Sequence, residues 1–311
     1  MKKEIKKILI IFLILLTLTG CATQLKDSKN KVVRNPETGQ VLTKNILCKP
    51  SDKNTLKLYS KNKIDVDKLP SCSSFKISSG GYEGIWSTIF VKPLAFIIIN
   101  IGKIFKNYGL AIIIVTLLIR LVTIRMTKKA AIQSEQMKLA KPELDKLEKK
   151  YKNKNDQESM MAKNQEMLVI YKKYNINPMA GCLFSLIQIP LFFAFYEALN
   201  RLPVIFEGHF LGLQLGTTPT TAVSNGNYFY IIIVILVIGA SYLSFKLNSG
   251  ASMSTEQAEQ MKMMSNFMVI FIGIASLSLS TGIAIYWITN NLFTIIQNLL
   301  VKRRKQNVKK A

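Results

Sequence analysis

Histidine is almost missing from this sequence: His209 is the only one in 311 residues. Cysteine occurs four times, at the scattered positions Cys21, Cys48, Cys72 and Cys182. A single histidine leaves little room for a histidine-based metal site or for histidine-based acid–base catalysis. No G-x-x-x-x-G-K-[ST] phosphate loop is present. Acids are also few: 18 Asp+Glu stand against 42 Lys+Arg, a formal net charge of +24. A surplus of that size suits nucleic acid, anionic lipid or the basic cytoplasmic loops of a membrane protein, and the position of the charges separates these.

Apolar residues are what the chain has in quantity. Hydrophobic types make up 49% and charged types 19%, a mix that fits apolar spans alternating with charged segments. Lys2, Lys3, Lys6 and Lys7 precede a short apolar run, Ile8 to Leu16, and then Leu18-Thr19-Gly20-Cys21. That order matches a bacterial lipoprotein signal, with residues 1–20 as the signal peptide. The mature chain then starts at Cys21, which carries diacylglycerol on its sulfur and lies on the outer face. Residues 21–84 are polar and show no sustained period of 2 or 3.6, which predicts an extracytoplasmic linker, partly disordered. Outside the membrane, a Cys48–Cys72 disulfide and two free thiols are both compatible with this segment.

Four stretches read as transmembrane helices by length and apolarity: 108–126, 179–199, 228–247 and 283–301. A fifth, 261–279, is apolar but carries Ser265, Asn266, Ser276 and Ser278, and Thr281-Gly282 marks a tight hairpin before the last span. Residues 85–107 are ambiguous, because Lys92, Pro93 and Lys103 interrupt them. Loop charge resolves the ambiguity. Residues 128–175 hold twelve Lys against seven Asp/Glu, the tail 302–311 is basic without an acid, and 201–227 holds only Arg201 and Glu207. Basic loops belong in the cytoplasm. Starting outside at Cys21, five spans place 128–175 and the tail inside, provided 85–107 lies along the outer interface as an amphipathic helix. The expected architecture is therefore an all-α integral membrane protein of the cytoplasmic membrane. It has five transmembrane helices in a core over 108–305, a cytoplasmic helical hairpin over 128–175, an outer interfacial helix and a cytoplasmic C-terminus.

Arg120 falls inside the first span, in Leu117-Leu118-Ile119-Arg120-Leu121-Val122. A charge in mid-membrane costs about 2.5–3.5 kcal/mol on insertion scales, so it requires water, a partner or escape to the interface. No acid occurs in the third, fourth or fifth span. Polar groups do gather at the right depth. Thr116 lies four residues before Arg120 on the same helical face. Gln188 in the second span and Asn290, Asn291 and Gln297 in the fifth fall in mid-membrane or in the cytoplasmic half. Two readings remain open: a wet, positively charged groove open to the cytoplasm, and a structural arginine tied to backbone carbonyls.

The pattern now resembles the YidC/Oxa/Alb membrane protein insertase family in its Gram-positive lipoprotein form. Three stretches carry the resemblance: Tyr108-Gly109-Leu110-Ala111-Ile112 through Arg120-Leu121; Tyr174-Asn175-Ile176-Asn177-Pro178 through Gln188-Ile189-Pro190; and Met261-Lys262-Met263-Met264 through Tyr286-Trp287-Ile288-Thr289-Asn290-Asn291 to Gln297. Arg125, Phe184, Val269 and Ser280 depart from it, standing where many members have proline. The resemblance implies insertion of nascent membrane proteins without nucleotide hydrolysis, and no catalytic residue, cofactor or metal. Arg120 would attract the polar or acidic part of the client, and Gln188, Asn291 and Gln297 would line the groove. Trp287 has two readings, groove lining and core packing. Partners implied are nascent membrane-protein clients and the lipid bilayer, with the ribosome and a Sec translocon as candidates and DNA excluded. The hairpin's Met160, Met161, Met167, Leu168 and Tyr171 stripe reads equally as a client-capturing surface and as packing within the hairpin. The basic tail has two readings, contact with ribosomal RNA or anionic lipid and a plain positive-inside anchor.

Two rivals belong to other classes. A small-solute transporter predicts paired ionisable groups, broken helices or repeats near mid-membrane. A membrane-bound enzyme predicts a nucleophile, metal site or acid–base pair.

Overall fold

The computed structural model describes residues 22–154, 156–177, 179–248 and 255–308, with side chains except at 179–187, 248, 255–262 and 304–308. The expected signal peptide and the lipid-bearing Cys21 lie outside the described residues. Two compact units emerge. The first holds the described residues of Met1–Leu118, Leu186–Val237 and Ile274–Thr289; the second holds those of Ile119–Ser185, Ile238–Gly273 and Asn290–Ala311.

In the first unit the polar N-terminal segment, expected as a partly disordered linker, holds local structure over its described residues. Antiparallel bridges join Gln24 to Thr43, Lys26 to Val32 and Arg34 to Val41. Helix α1, Lys53–Lys61, starts where the Asp52 carboxylate accepts from the Thr55 N–H at 2.7 Å. Leu25, Leu42, Ile46, Tyr59 and Val66 close a small core. The Tyr59 hydroxyl donates to the Thr43 carbonyl at 2.9 Å, so the one polar atom of that buried ring is satisfied. A Cys48–Cys72 disulfide staples the segment across a separation of 24 residues. Turns and a covalent bond, rather than a repeating apolar period, bring these few core positions together. The segment is fastened to residues 200–218: Leu47 N–H donates to the Arg201 carbonyl at 2.9 Å, and Thr218 N–H donates to the Thr38 carbonyl at 3.0 Å.

Helix α2 runs over Gly84–Phe105, with one wider π-type turn at Ser87–Val91. It ends at Lys106, whose left-handed φ of 51° turns the chain. Asn107 then caps the next helix, its side-chain oxygen accepting from Leu110 N–H at 2.9 Å. At the corner a Cβ on Gly102 would sit 2.2 Å from the Tyr108 ring, so only glycine admits this approach. By length and composition α2 is apolar enough to cross a membrane, although it was expected to lie along the interface. Its lysines explain the ambiguity. The buried Lys92 Nζ donates to the Ser79 and Gly81 carbonyls at 2.8 and 2.6 Å, and the Lys103 Nζ donates to the Ser73 carbonyl. The two lysines are eleven residues apart, roughly 16 Å along a helix, yet both anchor on the single short stretch 73–81.

A buried ionic cluster holds the same region. Arg201, fully buried, donates to the Asn45 carbonyl at 2.6 Å and to the Ser87 hydroxyl at 2.8 Å, and it pairs with Glu197 at 3.1 Å and with Glu83. The Trp86 indole N–H donates to the other Glu197 oxygen at 3.0 Å. Lys92 lies 3.6 Å from Glu83, so two cations face two carboxylates. Buried charges of either sign persist only when matched in this way.

Helix α3, Tyr108–Val122, stops short of the expected Met126, and the next helix, α4 (Ile124–Tyr151), leaves at a 70° bend. Thr123 sits at the break. Its hydroxyl bonds back to the Ile119 carbonyl at 2.9 Å, a local bond that competes with helix continuation. In the second unit α4 and α5 (Gln157–Lys173) form an antiparallel hairpin around Met137, Ala140, Leu144, Tyr171 and Ile176. Lys150–Glu166 and Lys173–Glu143 pairs, both at 2.6 Å, lace its sides. The expected apolar stripe divides: Met167 and Tyr171 pack inward, while Met160, Met161 and Leu168 are exposed. The remaining long helices are α6 (Met179–Arg201), α7 (Ile231–Asn248), α8 (Thr255–Ser276) and α9 (Thr281–Val308). Among the described residues, α2 and Tyr228–Leu247 meet the length and apolarity of a span, and the bent α3–α4 pair is a third if it counts as one.

Candidate functional site

Because α3 ends at Val122, Arg120 lies in its last turn rather than in mid-helix. The helix dipole places partial negative charge there, which favours a cation by about 0.3–1 kcal/mol. This offsets part of the insertion cost. The guanidinium is buried; its Nη2 donates to the main-chain oxygen of Asn290 at 3.4 Å, and its central carbon lies 6.0 Å from the centre of the Phe293 ring. A 3.4 Å bond is long and contributes less than one near 2.9 Å. Arg120 thus has a carbonyl and an aromatic face from α9 as neighbours, while α9 itself contains no acid from Thr281 to Val308.

Two turns further along α9, Gln297 is buried and its amide nitrogen donates to the Thr127 hydroxyl at 2.8 Å and to the Ile124 carbonyl at 3.4 Å. Asn290 and Asn291 are half-buried. Further along α9 opens a cleft of about 260 Å³ lined by Ile124, Lys128, Phe293, Ile296, Gln297, Leu300 and Val301. The second unit therefore brings together four of the expected residues, Arg120, Asn290, Asn291 and Gln297, with Phe293, Thr127 and Lys128 as neighbours the sequence did not single out. Phe293, Ile296, Gln297 and Leu300 follow the i, i+3, i+4, i+7 spacing of one helical stripe, the signal that could have found the cleft wall.

Thr116, Gln188 and Trp287 belong to the first unit. Thr116 is buried with its hydroxyl bonded to the Ile112 carbonyl at 2.6 Å, one turn back in its own helix. Gln188 is half-buried. Trp287, also half-buried, meets Phe192 edge-on at 5.1 Å, while its neighbour Tyr286 stacks on Phe195 at 4.3 Å. The indole is thus part of an aromatic cluster. Among the described residues no group of three or more His, Cys, Asp or Glu is placed to hold a metal ion.

Residues 100–309 match the family described as 60Kd inner membrane protein. The membrane protein insertase YidC of Oceanobacillus iheyensis is 36% identical over 226 residues, which cover 71% of this chain and 85% of the relative. This chain belongs to the YidC insertase family. The membrane protein insertase MisCA of Bacillus subtilis is similarly related, 34% identical over 236 residues, 75% of this chain and 86% of that one. The crystal structure of an active YidC insertase with its first transmembrane domain resolved is 23% identical with a TM-score of 0.49, covering 79% of this chain and 50% of that chain. The family match begins at residue 100, so the stapled segment, most of α2, and Glu83 and Lys92 of the ionic cluster precede it.

Proposed function

We propose that this chain inserts nascent proteins into the bacterial cytoplasmic membrane through a groove whose positive charge is Arg120. One observation carries the reading: in a YidC family chain whose relatives are named membrane protein insertases, the guanidinium is buried at the end of α3 against α9, where Asn290 and Asn291 are half-buried. A hydrophilic or acidic client segment entering from the cytoplasm finds a fixed charge there. Its apolar neighbour partitions into lipid, with about 25 cal/mol per Å² of buried apolar surface as the driving force. The membrane potential adds about 2.3 kcal/mol per elementary charge per 100 mV for acidic tails drawn outward. Thr116, Gln188, Asn290, Asn291, Gln297 and Trp287 are the remaining members of the proposed groove.

In this reading five helices, α3 and α6 to α9, span the membrane, and the N-terminus lies outside, tethered by lipid on Cys21. The hairpin and the basic tail are cytoplasmic, in reach of a ribosome or translocon. The common anchorage of Lys92 and Lys103 on residues 73–81 supports α2 as an interfacial helix, because a crossing helix would leave Lys92 near mid-depth and draw its polar partners into the bilayer.

The test is rescue of a bacterium depleted of its own insertase, with wild type, Arg120→Ala and Arg120→Lys at matched membrane levels. Rescue by wild type and Arg120→Lys but not Arg120→Ala is the expected result. Rescue by all three removes the charge from the mechanism. Failure of wild type both in cells and after purified reconstitution removes the insertase reading. Solute uptake by the pure protein in vesicles would favour the transporter.

A further inference from the structure

The cleft between α4 and α9 has a chemistry of its own. Its walls are Ile124, Phe293, Ile296 and Leu300, and Lys128 is the one cation lining it. Ile296 and Leu300 are also 57% and 56% exposed, so the cleft opens sideways onto an apolar helix face. Charge of one sign surrounds the end marked by Lys128. Arg125, Lys128 and Lys129 are exposed at the start of α4, and Lys302 and Arg303 are exposed on α9 directly after the cleft wall. The first acid on α4 is Glu135, and α9 has none.

An apolar slot open to the side, with cations at one end and no carboxylate on either wall, complements an amphiphile with an anionic head. A polypeptide fits less well. Its backbone brings a donor and an acceptor per residue that need partners away from water. Besides Lys128 the cleft offers Gln297, whose amide nitrogen is already engaged with Thr127 and Ile124. An acyl chain makes no such demand. We propose that this cleft holds one anionic phospholipid, its acyl chain along Phe293, Ile296 and Leu300 and its phosphate at Lys128. Basic pockets between membrane helices bind anionic headgroups by this combination of charge and apolar surface. The lipid comes from the leaflet that borders the C-terminal end of α9. The inference uses the membrane location of the family and does not depend on the role given to Arg120.

Native mass spectrometry of the full chain, released from nanodiscs of equimolar phosphatidylglycerol and phosphatidylcholine, tests it. Wild type is expected to retain one phosphatidylglycerol in preference to phosphatidylcholine. Lys128→Gln is expected to weaken retention about fivefold, the effect of removing one lysine near a headgroup. Ile296→Trp, which fills the cleft, is expected to abolish retention, while Leu299→Trp on the same helix leaves it intact. Melting temperatures matched to wild type guard against misfolding. Equal retention of the two lipids, or of phosphatidylglycerol by wild type and Ile296→Trp, overturns the proposal, the latter leaving only attraction to surface charge. A photoreactive residue at position 296 that captures polypeptide and no lipid in native membranes also overturns it and makes the cleft a client site.

Discussion

Replacing Arg201 by alanine should loosen the whole N-terminal attachment. The side chain is fully buried and binds four partners on three separate stretches: Asn45, the Glu83–Ser87 pair at the start of α2, and Glu197 in its own helix. Without it, Glu197 keeps the Trp86 indole at 3.0 Å, and Glu83 keeps the Ser87 hydroxyl at 3.1 Å and Lys92 at 3.6 Å. Two carboxylates then face one cation in a buried site. Breaking a buried pair from one side costs about 3–5 kcal/mol. At roughly 2–4 °C per kcal/mol for chains of this size, the melting temperature in detergent should fall by about 10 °C. Trypsin should cut the 22–81 segment earlier in the variant than in wild type. A triple variant, Arg201→Met with Glu83→Gln and Glu197→Gln, removes the charges together and should recover a large part of the loss. A drop below about 2 °C for Arg201→Ala with unchanged trypsin cleavage would refute the reasoning, since roughly 1 kcal/mol is what a solvated surface pair contributes.

The disulfide and the hairpin give further tests. Cys48→Ser with Cys72→Ser should cost about 3 kcal/mol through the freed loop, and wild type alone should change mobility on reduction in a gel. In the hairpin, hydrogen bonds from Lys173 and Lys150, seconded by Tyr174 and Tyr151, hold the Glu143 and Glu166 carboxyls below the usual value of 4.5. A lowered folded value means that their contribution is complete above 4.5 and is lost as the pH falls through the lower folded values. Hydrogen exchange across α4 and α5, corrected for intrinsic rates, should rise below that point, and Glu143→Gln with Glu166→Gln should reduce the pH dependence to what Asp156 at the α5 N-terminus contributes.

What could be read from the residues was whatever repeats along a helix. The apolar runs of α3, α7 and α9 and the i+4 relation of Thr116 to Arg120 are visible because a helix has one period. The break at Thr123 was not, since threonine is tolerated within helices and Arg125 lacks the proline that signals a kink. The shorter α3 moved Arg120 from mid-helix to a helix end, which changed the physics of its charge. The small N-terminal core has no signature along the chain, because Leu25, Leu42, Ile46, Tyr59 and Val66 follow no period and are joined through turns and a covalent staple. Arg201 and Glu83 stand 118 residues apart, and their pairing has no local signature. Lys92 and Lys103 were seen as interruptions of an apolar run; their carbonyl partners upstream are what make them tolerable.

The fastening of Lys92, Glu83 and Arg201 bears on how this protein can be shortened. The family match starts at residue 100, which invites a minimal version cut at that point. Such a cut would strip Arg201 of Asn45, Ser87 and Glu83 while leaving it in place with Glu197, whose indole partner Trp86 also departs. The remaining core would open a raw polar wound where a sealed joint had been. The edge of the family match is therefore not a mechanical boundary: the smallest piece that keeps its own surface whole reaches back through α2 to the stapled segment.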